Sequence, residues 1–77
     1  MELVRYIRDI PDWPRPGVLF RDITPLLANP QALRAAVDAM CVPYKGAGIA
    51  HVAAVEARGF IFGTAVAARL NAGFIPI

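Results

Sequence analysis

The stretch that decides the architecture is IAHVAAVEARGFIFGTAVAARLNAGFIPI, residues 49–77. Residues 49–55 form a continuous apolar run rich in Val and Ala, broken only by His51. A short run of this kind, bounded by turn residues, predicts a strand buried on both faces. From Gly59 to Leu70 the pattern becomes helical, and Asn71-Ala72-Gly73 supplies a C-cap. Phe74-Ile75-Pro76-Ile77 then begins a second strand. Strand, helix, strand is a βαβ unit, which predicts two parallel strands joined by a right-handed crossover. The fold class is therefore α/β.

Working back from this unit, Pro43 and the Gly46-Ala47-Gly48 cluster mark a loop, and before it lies a helix over residues 30–41. Asn29-Pro30 signals its start. Leu33, Ala36, Val37 and Met40 share one face, with Arg34 and Asp38 on the other. Thr24-Pro25 reads as an N-cap with proline at the first helical position, opening a short turn through Leu27. Pro11, Pro14, Pro16 and Gly17 forbid helix and disfavour a central strand, so residues 11–20 are expected as an extended, stiff loop. Its apolar members Trp13, Val18, Leu19 and Phe20 must pack on something. Over residues 2–10, Leu3, Tyr6, Ile7 and Ile10 fall on one side, which predicts a short amphipathic helix.

A chain of 77 residues suffices for one small domain, yet 57% of it is hydrophobic and 18% charged. So apolar a composition in so short a chain implies a core that is only partly assembled. Two strands and one crossover cannot bury both faces of residues 49–55, which accounts for the surplus. No run reaches the roughly 20 apolar residues that a membrane-spanning helix needs, since residues 46–55 stop at Glu56 and residues 59–68 stop at Arg69. The N-terminus carries scattered charges and does not read as a signal peptide. One cysteine, Cys41, cannot form an internal disulfide, which fits a reducing compartment and points to the cytoplasm. Of the eight basic residues seven are Arg, suited to forked phosphate or carboxylate contacts, but they are spread along the chain. No basic stripe for nucleic acid is present.

Two constellations carry the chemistry. Val55-Glu56-Ala57-Arg58-Gly59-Phe60-Ile61-Phe62-Gly63 lies where the buried strand meets its helix. Open α/β sheets bind ligands outside the carboxyl ends of their strands, and a helix N-terminus attracts anions. Arg58 adds a forked cation and Gly59 lets the backbone come close, so a phosphate or pyrophosphate would be held; Glu56 repels it unless Arg58 or a metal ion compensates. The plain alternative is a surface Glu56/Arg58 pair with Gly59 and Gly63 serving helix–sheet packing. The second constellation, Phe20-Arg21-Asp22-Ile23-Thr24-Pro25-Leu26-Leu27, follows the proline-rich loop. An aromatic on a loop whose backbone groups are left unpaired can stack on a planar heterocycle and read its edge. The alternative keeps Phe20 as a core anchor, Asp22 bonded to local N–H groups and Arg21 solvated. His51 has no metal-binding company, while Cys41 and Trp13 read as packing residues.

Taken together, residues 10–27, IPDWPRPGVLFRDITPLL, resemble the adenine-binding hood of adenine phosphoribosyltransferases, a type I phosphoribosyltransferase family. Residues 55–63, VEARGFIFG, resemble the family's pyrophosphate loop, and order and spacing match over residues 7–77. The resemblance implies the N-terminal part of a phosphoribosyltransferase-type, Rossmann-like parallel sheet, laid out as helix, hood loop, helix and βαβ. Residues 1–27 would form the N-terminal helix and hood, residues 28–77 the start of the core, in one partial domain. It implies AMP and pyrophosphate made from adenine and 5-phosphoribosyl 1-diphosphate, with Mg²⁺ held mainly through the diphosphate. Leu19 and Arg21 would meet adenine through backbone groups, with Phe20 beside or over the ring. Glu56, Ala57, Arg58 and Gly59 would form the pyrophosphate loop, with a cis peptide between Glu56 and Ala57. A homodimer is implied, without nucleic acid or membrane as partner. The mobile loop, the ribose 5-phosphate motif and the later strands of the family are absent from these residues, so the chain alone is expected to be inactive. No catalytic or metal-ligating side chain is assigned within it. The competing readings are a non-catalytic binding or regulatory protein of the same fold and a non-functional truncated product.

Overall fold

A computed structural model describes residues Met1–Ile77, which divide into two compact units, Met1–Ala36 and Val37–Ile77.

In the first unit a 3-10 turn, Leu3–Tyr6, leads directly into strand β1, Arg8–Pro11. The amphipathic helix expected over residues 2–10 is therefore not formed. Ile7 and Ile10, which helical spacing places with Leu3 and Tyr6, lie instead in extended backbone. The overriding cause is pairing: β1 runs antiparallel to β2, Leu19–Asp22, with Arg8 opposite Asp22, Asp9 opposite Arg21, Ile10 opposite Phe20 and Pro11 opposite Leu19. The stiff loop is thus shorter than expected, confined to residues 12–18, because both of its ends are drawn into the ribbon. Helix α1, Thr24–Ala28, follows. Thr24 is its first residue rather than its cap, and Pro25 takes the next position, where its missing N–H costs nothing.

Helix α2, Pro30–Cys41, starts where the sequence signals it, with Asn29 Oδ1 accepting the N–H of Ala32 at 2.9 Å. Its buried stripe is Ala32, Ala36, Val37 and Cys41, and Cys41 has no accessible surface. The face expected from Leu33 and Met40 is rotated: Leu33 is half-buried and Met40 exposed. Small residues at 32 and 36 make the closest-packed side, and the bulkier side chains lie beside it. Asp38, expected alongside Arg34, is paired with Arg69 at 2.6 Å.

The second unit is the expected βαβ. Strand β3, His51–Ala54, and strand β4, Gly73–Pro76, are parallel, with His51 opposite Gly73, Val52 opposite Phe74, Ala53 opposite Ile75 and Ala54 opposite Pro76. Helix α3, Arg58–Arg69, joins them. It ends in a Schellman turn around Asn71, at φ 58°, with Ala72 N–H donating to Ala67 C=O at 2.8 Å and Asn71 N–H to Ala68 C=O at 3.3 Å. One face of the sheet meets α3 through Ala54 and Phe74, the latter edge-on to Phe60 with ring centroids 5.8 Å apart. The other face, His51, Ala53 and Ile75, is exposed. Burial on both faces, expected for residues 49–55, is not reached, because α3 is the one layer laid against this two-stranded sheet.

Candidate functional site

Two neighbouring cross-strand ion pairs build the ribbon of the first unit. Arg8 reaches Asp22 and Arg21 reaches Asp9, the latter at 3.6 Å, each directly across the ribbon from its partner. Side chains alternate along a strand, so the two pairs occupy opposite faces. Asp22 is the buried one. Its carboxylate accepts the N–H of Thr24 at 3.0 Å, the Thr24 hydroxyl at 3.0 Å and the Arg8 guanidinium. The Thr24 N–H, then its hydroxyl, hold the Asp22 carboxyl below its ordinary value; burial opposes them and Arg8 assists. This one carboxylate ties β1, β2 and the start of α1 together.

The same ribbon aims backbone groups outward. An antiparallel ladder alternates between pairs that exchange both backbone hydrogen bonds and pairs that exchange none. Pro11 has no N–H, so Pro11 and Leu19 cannot be an exchanging pair. The exchanging pairs are then Ile10 with Phe20 and Arg8 with Asp22. The N–H and C=O groups of Leu19 and Arg21 consequently point to the outer edge, and no turn, loop or cap hydrogen bond takes them. This corrects the picture of a loop held open by prolines: residues 19–22 are a strand, half of whose polar backbone is used. Phe20 is half-buried on β2, not exposed on a loop, and Trp13 meets it edge-on. The Arg21 side chain pairs with Asp9, while its backbone N–H and C=O point outward.

In the second unit, residues 55–57 connect the carboxyl end of β3 to α3. Glu56, Ala57 and Arg58 are exposed, and the Glu56–Ala57 peptide is cis. Ala57 occupies the N-cap position with no side-chain cap, and Phe60 N–H donates to its C=O at 3.1 Å. An uncapped first turn presents amide hydrogens and the positive end of the helix dipole. Gly59 is half-buried, and a Cβ there would lie 3.2 Å from the Cβ of Ala54. Gly59 and Gly63 thus serve close packing of α3 on β3, so the packing alternative holds for both glycines. The geometry leaves Glu56, Ala57 and Arg58 as the solvent-facing part of the turn. The hood residues lie in the first unit and the turn residues in the second; each set is a local constellation. A concavity of the second unit, about 440 Å³ and lined by Tyr44, Lys45, Arg69 and Asn71 among others, lies at the opposite end of β3 from this turn.

Arg8, Asp9, Asp12, Asp22 and Thr24 are the bracing residues that the motif reading passed over or left local. The signal for the ribbon is in the sequence: the dipeptide Arg-Asp occurs at 8–9 and again at 21–22. Antiparallel pairing of two such dipeptides sets each Arg against an Asp.

Comparison with known proteins places the chain among relatives. No family model matches the chain. An adenine phosphoribosyltransferase of Rhodopirellula baltica is 64% identical over 77 residues, the whole of this chain and 37% of the relative. The chain belongs to the adenine phosphoribosyltransferase family. Two solved adenine phosphoribosyltransferases agree in fold. That of Rhodothermus marinus superposes with a TM-score of 0.86 at 46% identity, over 96% of this chain and 42% of its own. That of Saccharomyces cerevisiae, complexed with adenine and an imino-altritol bisphosphate, gives 0.90 at 33% identity, over 97% of this chain and 47% of its own. The chain spans about two fifths of the length of the curated adenine phosphoribosyltransferases it matches. The fold is the α/β fold of the family, with a small and incomplete parallel sheet. No helix is long and apolar enough to cross a membrane.

Proposed function

We propose that this chain is the adenine- and diphosphate-holding portion of an enzyme that joins adenine to 5-phosphoribosyl 1-diphosphate, releasing AMP and pyrophosphate in purine salvage. The observation that carries the reading is the 64% identity, over every residue, to an adenine phosphoribosyltransferase. Residues 1–27 hold the base and residues 28–77 begin the phosphoribosyltransferase core. The outward N–H and C=O groups of Leu19 and Arg21 read the edge of adenine, and Phe20 lies beside its ring. Glu56, Ala57, Arg58 and Gly59 surround the diphosphate, with Arg58 and the first turn of α3 meeting its charge. As the bond from ribose to diphosphate breaks, negative charge gathers on the leaving group, and groups already placed there stabilise it most. The hood holds the attacking nitrogen of adenine in place for the ribose carbon. No cluster of three acidic, His or Cys side chains exists to hold a metal by protein ligands alone. Mg²⁺, which commonly binds through substrate phosphates, would be held mainly through the diphosphate and would neutralise charge on the leaving group. The reading takes the enzyme as a cytoplasmic homodimer, with neither nucleic acid nor membrane as partner.

On this reading the 77 residues are not expected to turn over by themselves. Given labelled adenine, 5-phosphoribosyl 1-diphosphate and Mg²⁺, the purified 77 residues are expected to form no AMP, and AMP production would overturn that statement. Titrated separately, adenine is expected to move the amide resonances of residues 19–21 and pyrophosphate those of residues 56–59. Perturbations confined to other residues would remove the assignment.

A further inference from the structure

The loop of residues 12–18 is closed by its own hydrogen bonds. Asp12 Oδ1 accepts the N–H of Gly17 at 2.9 Å, Trp13 N–H donates to Val18 C=O at 3.1 Å, and Val18 N–H donates to Arg15 C=O at 3.2 Å. Asp12 and Gly17 both lie at positive φ, 56° and 84°, which bends the chain back on itself. The outcome of this folding is a single placement: the Trp13 indole lies against Phe20, ring centroids 4.7 Å apart and planes at 68°. Yet Trp13 stays 51% exposed. One exposed apolar side chain is ordinary. An exposed indole laid against a half-buried aromatic ring, however, forms a surface that a flat, weakly polar ligand would cover.

We propose that Trp13 is a positioning residue for the purine base. Its edge contact holds the Phe20 ring in the one orientation a planar heterocycle meets on binding, and the self-braced loop holds Trp13 in turn. The inference rests on the reading of Phe20 as the neighbour of adenine. Without the indole, Phe20 regains rotamer freedom in the unliganded chain, and that freedom must be lost each time the base binds. An aromatic edge contact of this geometry corresponds to roughly three- to tenfold in affinity.

Adenine is titrated into the 77-residue chain and into Trp13→Phe and Trp13→Ala, with binding read from the amide resonances of Leu19 and Arg21 and stability from urea unfolding. The phenylalanine variant, which retains an aromatic edge, is expected to bind within about threefold of the parent chain, and the alanine variant roughly three- to tenfold more weakly. The resonances of α2 should be the same in all three. If Trp13→Ala binds adenine as tightly as the parent, the positioning role is wrong while the adenine reading stands. If the parent chain shows no adenine response at those amides, the adenine reading fails, and this inference with it. Should Trp13→Ala lose binding only in proportion to a loss of folded protein, with Trp13→Phe equally weakened, Trp13 is a stability residue and the proposal is overturned.

Discussion

A Cβ built on Gly63 would lie 2.6 Å from Cε1 of Phe74 and 3.0 Å from the Cβ of Ala54, closer than side chains approach one another. Helix propensity alone favours alanine there by about 1 kcal/mol. Against it stands the cost of forcing atoms into a packed contact, about 1–3 kcal/mol. Phe74 cannot simply turn away, because its ring is held edge-on by Phe60. Gly63→Ala is therefore expected to destabilise the chain by about 1 kcal/mol, a fall of roughly 4–8 °C in melting temperature for a domain this size; an unchanged or raised Tm would refute the packing role. Asp22 makes a different kind of prediction. Its folded carboxyl titrates below the ordinary value of 3.8, so its contribution to stability is present above that value. The contribution is lost as pH falls through the depressed folded value, since protonation then ends the bonds from Thr24 and Arg8. Urea midpoints measured from neutral pH into this acid range should fall more steeply for the parent chain than for Asp22→Asn. Equal slopes would show that Asp22 carries no such linkage.

At the level of elements, what could be read beforehand depended on whether the structure-forming signal was local. Helix α2 is bounded by Asn29-Pro30, and α3 ends at Asn71, because caps are made by residues within a turn of the helix they serve. Asn71 sits at φ 58°, where a Cβ without a polar side chain is penalised. Asn71→Ala should cost about 1 kcal/mol and Asn71→Gly little or nothing, by chemical denaturation; an alanine variant as stable as the glycine one would count against the left-handed turn. The first strand was hidden for the opposite reason. Leu3, Tyr6, Ile7 and Ile10 carry a helical spacing, and nothing within residues 2–10 outweighs it. The deciding partner is β2, whose nearest paired residue, Leu19, lies eight positions after Pro11, and it is visible only through the repeated Arg-Asp dipeptide. The motif of residues 20–27 stood out in the sequence by its side chains, while the strand at its start did not. Its aromatic and its arginine are side-chain features, whereas the outward direction of the Leu19 and Arg21 backbone follows from the proline opposite them. The turn at Glu56–Gly59 was legible in place, because it falls where a strand ends and a helix begins, and the close packing of Gly59 on Ala54 was not.

Across the whole chain, the uneven covering of the β3–β4 sheet sets the pattern of stability. One face is closed by α3, while His51, Ala53 and Ile75 on the other remain in contact with water. Local openings draw on regions with few buried apolar contacts. Amides of β3 and β4 are therefore expected to exchange faster than those at the centre of α2, where Ala32, Ala36 and Val37 are buried; strands protected to the same degree as that helix would contradict the expectation. The buried end of α2 has a consequence of its own. The sulfur of Cys41 has no accessible surface, and the chain contains no second thiol. A disulfide reagent in solution can reach it only while the last turn of that helix is parted from its surroundings. Its rate of modification is thus a clock for that opening, built into the natural sequence and readable without attaching any label beforehand.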